Sequence, residues 1–278
     1  MAAMLSLTRR GALAALSSLI PAMAIAADLP EPETFESFDG TRLAVRSLGA
    51  GRPTLMLHGF LSDGASWFRT GLAQRLAAEG RRVIAPDFRG HGRSAAPTAR
   101  AAYPKDVLAR DQTALLQAWK IGDYDLVGYS MGSLVAVRML VGGARPGRLV
   151  LGGIGDARVM GETPRDAMFR EGAERGAAAA GEGARAVASR IAQRELKPEA
   201  IAGVLGSLGR TGAAELKRLT TPTLVVCGEG DNENGSAEGL AAALGQARAV
   251  RVPGVHGTAP AQPQFLDAVS QFLATTPA

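Results

Sequence analysis

Hydrophobic and polar positions change period repeatedly along the chain: short, near-continuous apolar runs alternate with longer stretches in which apolar residues recur at helical spacing. The runs at 54–57, 83–86, 125–128, 149–152, 223–227 and 250–252 read as strands, most of them apolar enough to be buried on both faces. Residues 34–38 and 41–47 flank Asp39-Gly40, a two-residue hairpin signal that predicts an antiparallel start to the sheet. Helical spacing covers 66–79, 106–119, 131–140, 236–244 and 264–273. The alternation predicts an α/β fold: a mostly parallel eight-stranded sheet with helices on both faces.

One segment breaks the rhythm. Residues 156–214 are rich in Ala, Gly and Arg, with helix-like patches at 165–170 and 185–194. An unstructured connection of that length is uncommon in a compact domain, so the segment is read as a small helical cap inserted between core segments 27–155 and 215–278. The first 26 residues stand apart from the fold. Arg9 and Arg10 precede an uncharged stretch that ends in Ala24-Ile25-Ala26, the pattern of a cleavable signal peptide. It is short for a membrane span, and Pro21 interrupts it. Thr8-Arg9-Arg10 resembles a twin-arginine export signal, so the protein is expected in the periplasm or outside the cell.

Composition adds little to this picture but narrows it. With 46% hydrophobic residues the chain can bury a large core. Thirty-one basic against 26 acidic residues give only +5, and no run of Lys or Arg forms a dense patch, so no nucleic-acid partner is expected. Cys227 is the single cysteine, which excludes an intramolecular disulfide. Its place inside the apolar run 223–227 favours an inert buried thiol over a nucleophile.

The chemistry concentrates at Gly128-Tyr129-Ser130-Met131-Gly132, which falls between a strand and a helix. A serine on so sharp a turn presents its hydroxyl to a cleft, and the two glycines are needed because side chains there would collide. A neutral serine is a weak nucleophile and needs a base within hydrogen-bond reach. Three histidines are available, and only His256 follows Ser130 in the order nucleophile, acid, histidine that accompanies such a turn. His58 is read as a structural hydrogen-bonding residue. Glu229, Asp231 and Glu233 all lie where the orienting acid should stand, just past the run ending at Cys227. Asp231 is preferred because Glu229 is close to the strand. Two backbone N–H groups should receive a developing oxyanion: that of Met131, after the nucleophile, and that of Phe60 in His58-Gly59-Phe60. No metal cluster or organic cofactor is implied.

These residues together resemble the α/β-hydrolase superfamily, and Asp87-Phe88-Arg89-Gly90-His91-Gly92-Arg93-Ser94 sharpens the likeness. That turn is similar to one in the branch that contains esterases, cofactor-free haloperoxidases, carbon–carbon bond hydrolases, epoxide hydrolases and haloalkane dehalogenases. The resemblance runs from about residue 35 to 272. The last two groups use an aspartate nucleophile, so serine at 130 implies ester chemistry on a small-molecule substrate through an acyl-enzyme, without a cofactor. Carbon–carbon cleavage or perhydrolysis with the same three residues is the nearest alternative. A ligand-binding protein that keeps the fold without catalysis is the alternative of another class. The cap is poor in aromatics, which implies a pocket without obvious stacking platforms. Oligomeric state is not legible in the sequence.

Overall fold

The structure, a computed structural model, describes residues 29–275; the expected export signal lies outside them. Two strands open the sheet antiparallel, β1 (Glu33–Glu36) and β2 (Arg42–Leu48). Six more follow: β3 (Arg52–Leu57), β4 (Arg81–Pro86), β5 (Asp125–Tyr129), β6 (Leu149–Gly152), β7 (Thr223–Gly228) and β8 (Ala247–Val252). The strand order is β1-β2-β4-β3-β5-β6-β7-β8, with β2 antiparallel to β4 and β3 to β8 mutually parallel. The eight-stranded, mostly parallel α/β sheet read from the hydrophobic runs is therefore present. The two-residue hairpin is not. Glu36 pairs with Arg42, leaving a loop at 37–41 closed by the Ser37 N–H donating to the Thr41 carbonyl at 2.9 Å. The physical reason is a tertiary demand on Asp39, whose carboxylate accepts from both terminal nitrogens of Arg89 at 2.7 and 3.0 Å.

Helices clothe both faces. On the side of α1 (Ser66–Arg69) and α2 (Leu72–Ala78), Trp67, Phe68, Leu72 and Leu76 pack with Met56, Val127 and Val226 from the sheet. The helical pattern at 66–79 is broken in two there, because Gly71 adopts φ 83°, a left-handed turn that no helix can continue through. The opposite face carries α3 (Val107–Ala118) and α4 (Met131–Val141), with Val107, Leu108, Leu134 and Val135 against Leu55, Leu126 and Leu151. Almost every residue of α4 is buried, which explains its apolar character on all sides.

Between β6 and β7 the chain is helical: α5 (Asp156–Met160), α6 (Pro164–Arg175), α7 (Glu182–Gln193), α8 (Pro198–Ser207) and α9 (Ala213–Leu216). Pro164 sits at the first position of α6, where its missing N–H costs nothing, and Asp166 accepts from the Thr163 N–H and hydroxyl at 2.9 and 2.8 Å. Gly172 lets α7 approach closely, since a Cβ there would stand 2.5 Å from the Ala184 carbonyl oxygen. Phe169, Val187, Ile191 and Ile201 form a separate apolar cluster that rests on Leu61 of the core. Two further helices, α10 (Ala237–Ala243) and α11 (Pro263–Ala274), complete the layers, α10 beside α4's face and α11 beside α2. Among the described residues no helix is long and apolar enough to cross a membrane.

Candidate active site

All the candidate residues lie just past the carboxyl ends of parallel strands, the edge where open α/β sheets place their ligands. Ser130 follows β5 and precedes α4 with φ 53° and ψ −114°, a strained conformation for a residue with a side chain. Its N–H donates to the Gly152 carbonyl at 2.8 Å, which pins the turn to β6. The flanking glycines are sterically required. A Cβ on Gly128 would lie 2.5 Å from the Gly132 carbonyl oxygen, and one on Gly132 would collide with the Leu57 carbonyl oxygen of β3.

The loop after β7 carries Asp231, buried, and the loop after β8 carries His256. The two loops are joined by the Gly230 N–H donating to the Gly254 carbonyl at 3.0 Å, and Gly254 makes that turn at φ 104°. His256 Nδ1 is 2.8 Å from Asp231 Oδ2, and His256 Nε2 is 3.0 Å from Ser130 Oγ. With Nδ1–H donating to the carboxylate, Nε2 is free to accept the serine proton. Hydroxyl, imidazole and carboxylate thus stand in one hydrogen-bonded line, an arrangement that can make an oxygen nucleophile at neutral pH. Glu229 and Glu233, which shared the sequence argument with Asp231, are exposed and do not contact His256. Phe60 lines the same cavity as Ser130, and Met131 opens α4 with its side chain in the core. Among the described residues neither backbone N–H is given to another acceptor.

The remaining histidines are structural. His58 is fully buried, accepts the Phe88 N–H at Nε2 (3.0 Å) and donates from Nδ1 to the Gly59 carbonyl (2.8 Å). His91 accepts the Leu61 N–H at 3.3 Å and meets the Arg89 carbonyl at 3.2 Å. Burial lowers both imidazoles, to about 4 and about 3, so both are neutral. Arg89 is bound by Asp39 and Asp111, so the turn at 87–94 braces the loops beside the cleft. Cys227 is buried, donates to the Ile154 carbonyl at 3.3 Å, and burial pushes its thiol up to about 11, too high for a nucleophile at neutral pH.

The cavity above Ser130 has a volume of about 550 Å³, within the range of small-molecule sites. Sequence reasoning expected no stacking platform; the cavity contains one. Phe169 of α6 stacks on Phe60 with centroids 4.7 Å apart, and Trp67 and Tyr129 add further aromatic wall. The core supplies most of these rings, which a reading of cap composition alone does not reveal. Arg165 of α6 and Tyr129, whose hydroxyl donates to the His256 carbonyl at 2.6 Å, also went unread as site residues.

Residues 53–141 match the family described as the alpha/beta hydrolase fold. With the eight-stranded sheet and its neighbours among solved structures, this gives the chain the α/β-hydrolase fold. It is similar to a 2-hydroxymuconate semialdehyde hydrolase of Pseudomonas sp. (strain CF600), 38% identical over 102 residues, 37% of this chain and 36% of that protein. An epoxide hydrolase of Caballeronia sordidicola is 40% identical over 95 residues, 34% of this chain and 28% of the other. The matched stretch spans about a third of the length of these curated relatives. Among solved structures, a thermophilic esterase from Thermogutta terrifontis superposes with a TM-score of 0.69 at 27% identity, over 87% of this chain and 98% of that one.

Proposed function

We propose that the protein is a serine hydrolase that cleaves a small carboxylic ester through an acyl-enzyme on Ser130. The observation that carries this reading is the line from Ser130 Oγ through His256 to Asp231, at 3.0 and 2.8 Å, opening on the cavity. In this reading His256 Nε2 takes the hydroxyl proton as Oγ attacks the ester carbonyl carbon. The Met131 and Phe60 N–H groups receive the tetrahedral oxyanion. His256 then hands the proton to the departing alcohol oxygen, the carbonyl re-forms, and Ser130 is left acylated. Water, deprotonated by the same nitrogen, attacks the acyl carbon and releases the acid. Asp231 holds the tautomer and offsets the imidazolium charge. No step requires a cofactor.

Serine in place of an aspartate nucleophile counts against epoxide opening. The match to the semialdehyde hydrolase favours, as a second reading, carbon–carbon cleavage by the same residues. Assays with dienone substrates beside esters separate the two. Export is also proposed, on the pattern of the first 26 residues. Ser130→Ala is expected to reduce hydrolysis of 4-nitrophenyl butyrate by at least about 10³-fold and to abolish fluorophosphonate labelling, while the thermal transition is retained. A folded variant that still turns over at the wild-type rate would remove Ser130 from the chemistry.

A further inference from the structure

The walls of the cavity are unevenly charged. Arg69, Arg165, Arg190 and Arg194 line it, and among the described residues no aspartate or glutamate does. Few carboxylates pair with them directly, although Asp231 and Asp166 act on Arg165 through space. Asp63 bonds Arg69 at 2.6 Å and approaches Arg194 at 3.9 Å, and the exposed Glu233 pairs with Arg165. Among the described residues Arg190 has no carboxylate partner within salt-bridge distance; it lies on α7, one turn before Arg194, which caps that helix. Arg165 stands deepest, on α6, with its guanidinium 5.0 Å from the Phe169 ring and its Nε buried without a hydrogen-bond partner. Burial draws that guanidinium below the ordinary arginine range, a cost that a bound anion would offset.

We propose, building on the serine-hydrolase reading, that this cavity takes esters that carry a second, carboxylate group. Arg69, Arg190 and Arg194 at the mouth draw the anion in, and Arg165 holds it beside the nucleophile. An excess of positive charge in a cleft with apolar walls focuses its field into the space a substrate occupies, and so raises the local concentration of anions. The planar guanidinium fork matches a carboxylate. The hydrocarbon between the two carboxyl groups of such a substrate would lie along the Phe60–Phe169 stack.

The test compares mono-4-nitrophenyl adipate with 4-nitrophenyl hexanoate, acyl chains of equal carbon count that differ in the terminal carboxylate. On the full chain the adipate ester is expected to be favoured in kcat/KM by about ten-fold at low salt. That preference should shrink as salt is raised from about 20 to about 300 mM, because screening weakens the attraction. Arg165→Gln and Arg190→Gln should each cut the ratio by about three-fold or more, and Arg165→Lys should restore part of it. If Arg165→Gln loses its folding transition, Arg190→Gln, on the exposed side of α7, carries the comparison. A ratio at or below unity in wild-type protein that still labels with a fluorophosphonate overturns the anionic-substrate proposal alone. Failure to label, with no turnover of either ester, overturns the hydrolase reading and this one with it.

Discussion

Tyr129 joins the turn at Ser130 to the loop that carries His256. Its hydroxyl donates to the His256 carbonyl at 2.6 Å, and its ring centroid lies 5.4 Å from that of the imidazole. The ring is seated by glycines: a Cβ on Gly152 or Gly153 would come within 2.7 Å of it. Burial pushes the phenol far above its usual range, so the hydroxyl stays a donor at any working pH. Tyr129→Phe keeps the ring and deletes one hydrogen bond. On the proposed mechanism the expected result is a fall in kcat of about three- to ten-fold with KM nearly fixed, because there the bond orients the base without touching the ground-state ester. Steady-state kinetics decide it, and an unaltered kcat would mean that the loop is held by its glycine turns alone. Asp231→Asn removes the acceptor that fixes the imidazole tautomer, and on the proposed mechanism a loss of roughly 10⁴ in kcat is expected, as in Ser-His-Asp enzymes. A loss under about ten-fold would remove Asp231 from the orienting role.

The helices over the site are fastened by charge as well as by apolar packing. Asp166 Oδ1 meets Arg158 at 2.9 Å and Arg210 at 3.0 Å, tying α5, α6 and the segment before α9 together. Arg158 is only 1% exposed, and burial lowers its guanidinium to about 10, so it remains charged and depends on that carboxylate. Asp166→Asn is therefore expected to cost about 3 kcal/mol, since removing one partner strands a buried charge. A lower urea midpoint and faster tryptic cleavage between residues 164 and 212 would report it. These helices also mark where the sequence stops being readable. The central strands were legible to within a few residues because each contains an apolar run bounded by turn residues, and Ser130, Asp231 and His256 drew attention because each follows a strand. The break at Gly71 was hidden, since apolar spacing continues across it while φ does not. Arg165 and Tyr129 carried no local signal either. Their places at the cavity exist only once α6 has docked and the β8 loop has folded back, and no pattern of neighbours along the chain encodes that.

Across the whole molecule, the two buried imidazoles couple the brace behind the site to pH. His58 and His91 lie 5.3 Å apart, ring centre to ring centre, and each accepts a backbone N–H at Nε2, from Phe88 and Leu61. Burial, which withholds solvation from the imidazolium, holds the rings at about 4 and about 3 in the folded protein, and protonating either one would also turn that acceptor into a donor facing a donor. In the unfolded chain a histidine titrates near 6.5. Between these values the unfolded chain binds more protons than the folded one, so stability is complete above about pH 6.5 and falls as pH is lowered toward 4. Each histidine contributes up to about 1.4 kcal/mol per pH unit in that window. Other groups act at the edges of it. Arg89 holds Asp39 at about 2, which matters only in stronger acid, and burial raises Asp111, which acts in the opposite sense. Both are present in wild type and variant alike, so the difference between the two isolates the imidazole. Urea midpoints measured from pH 7.5 to 4.5 should fall less steeply for His91→Gln than for wild type, even though the variant starts lower at pH 7.5. Parallel curves would mean that the rings are protonated without cost, and that the loops behind Ser130 open well before the protein unfolds.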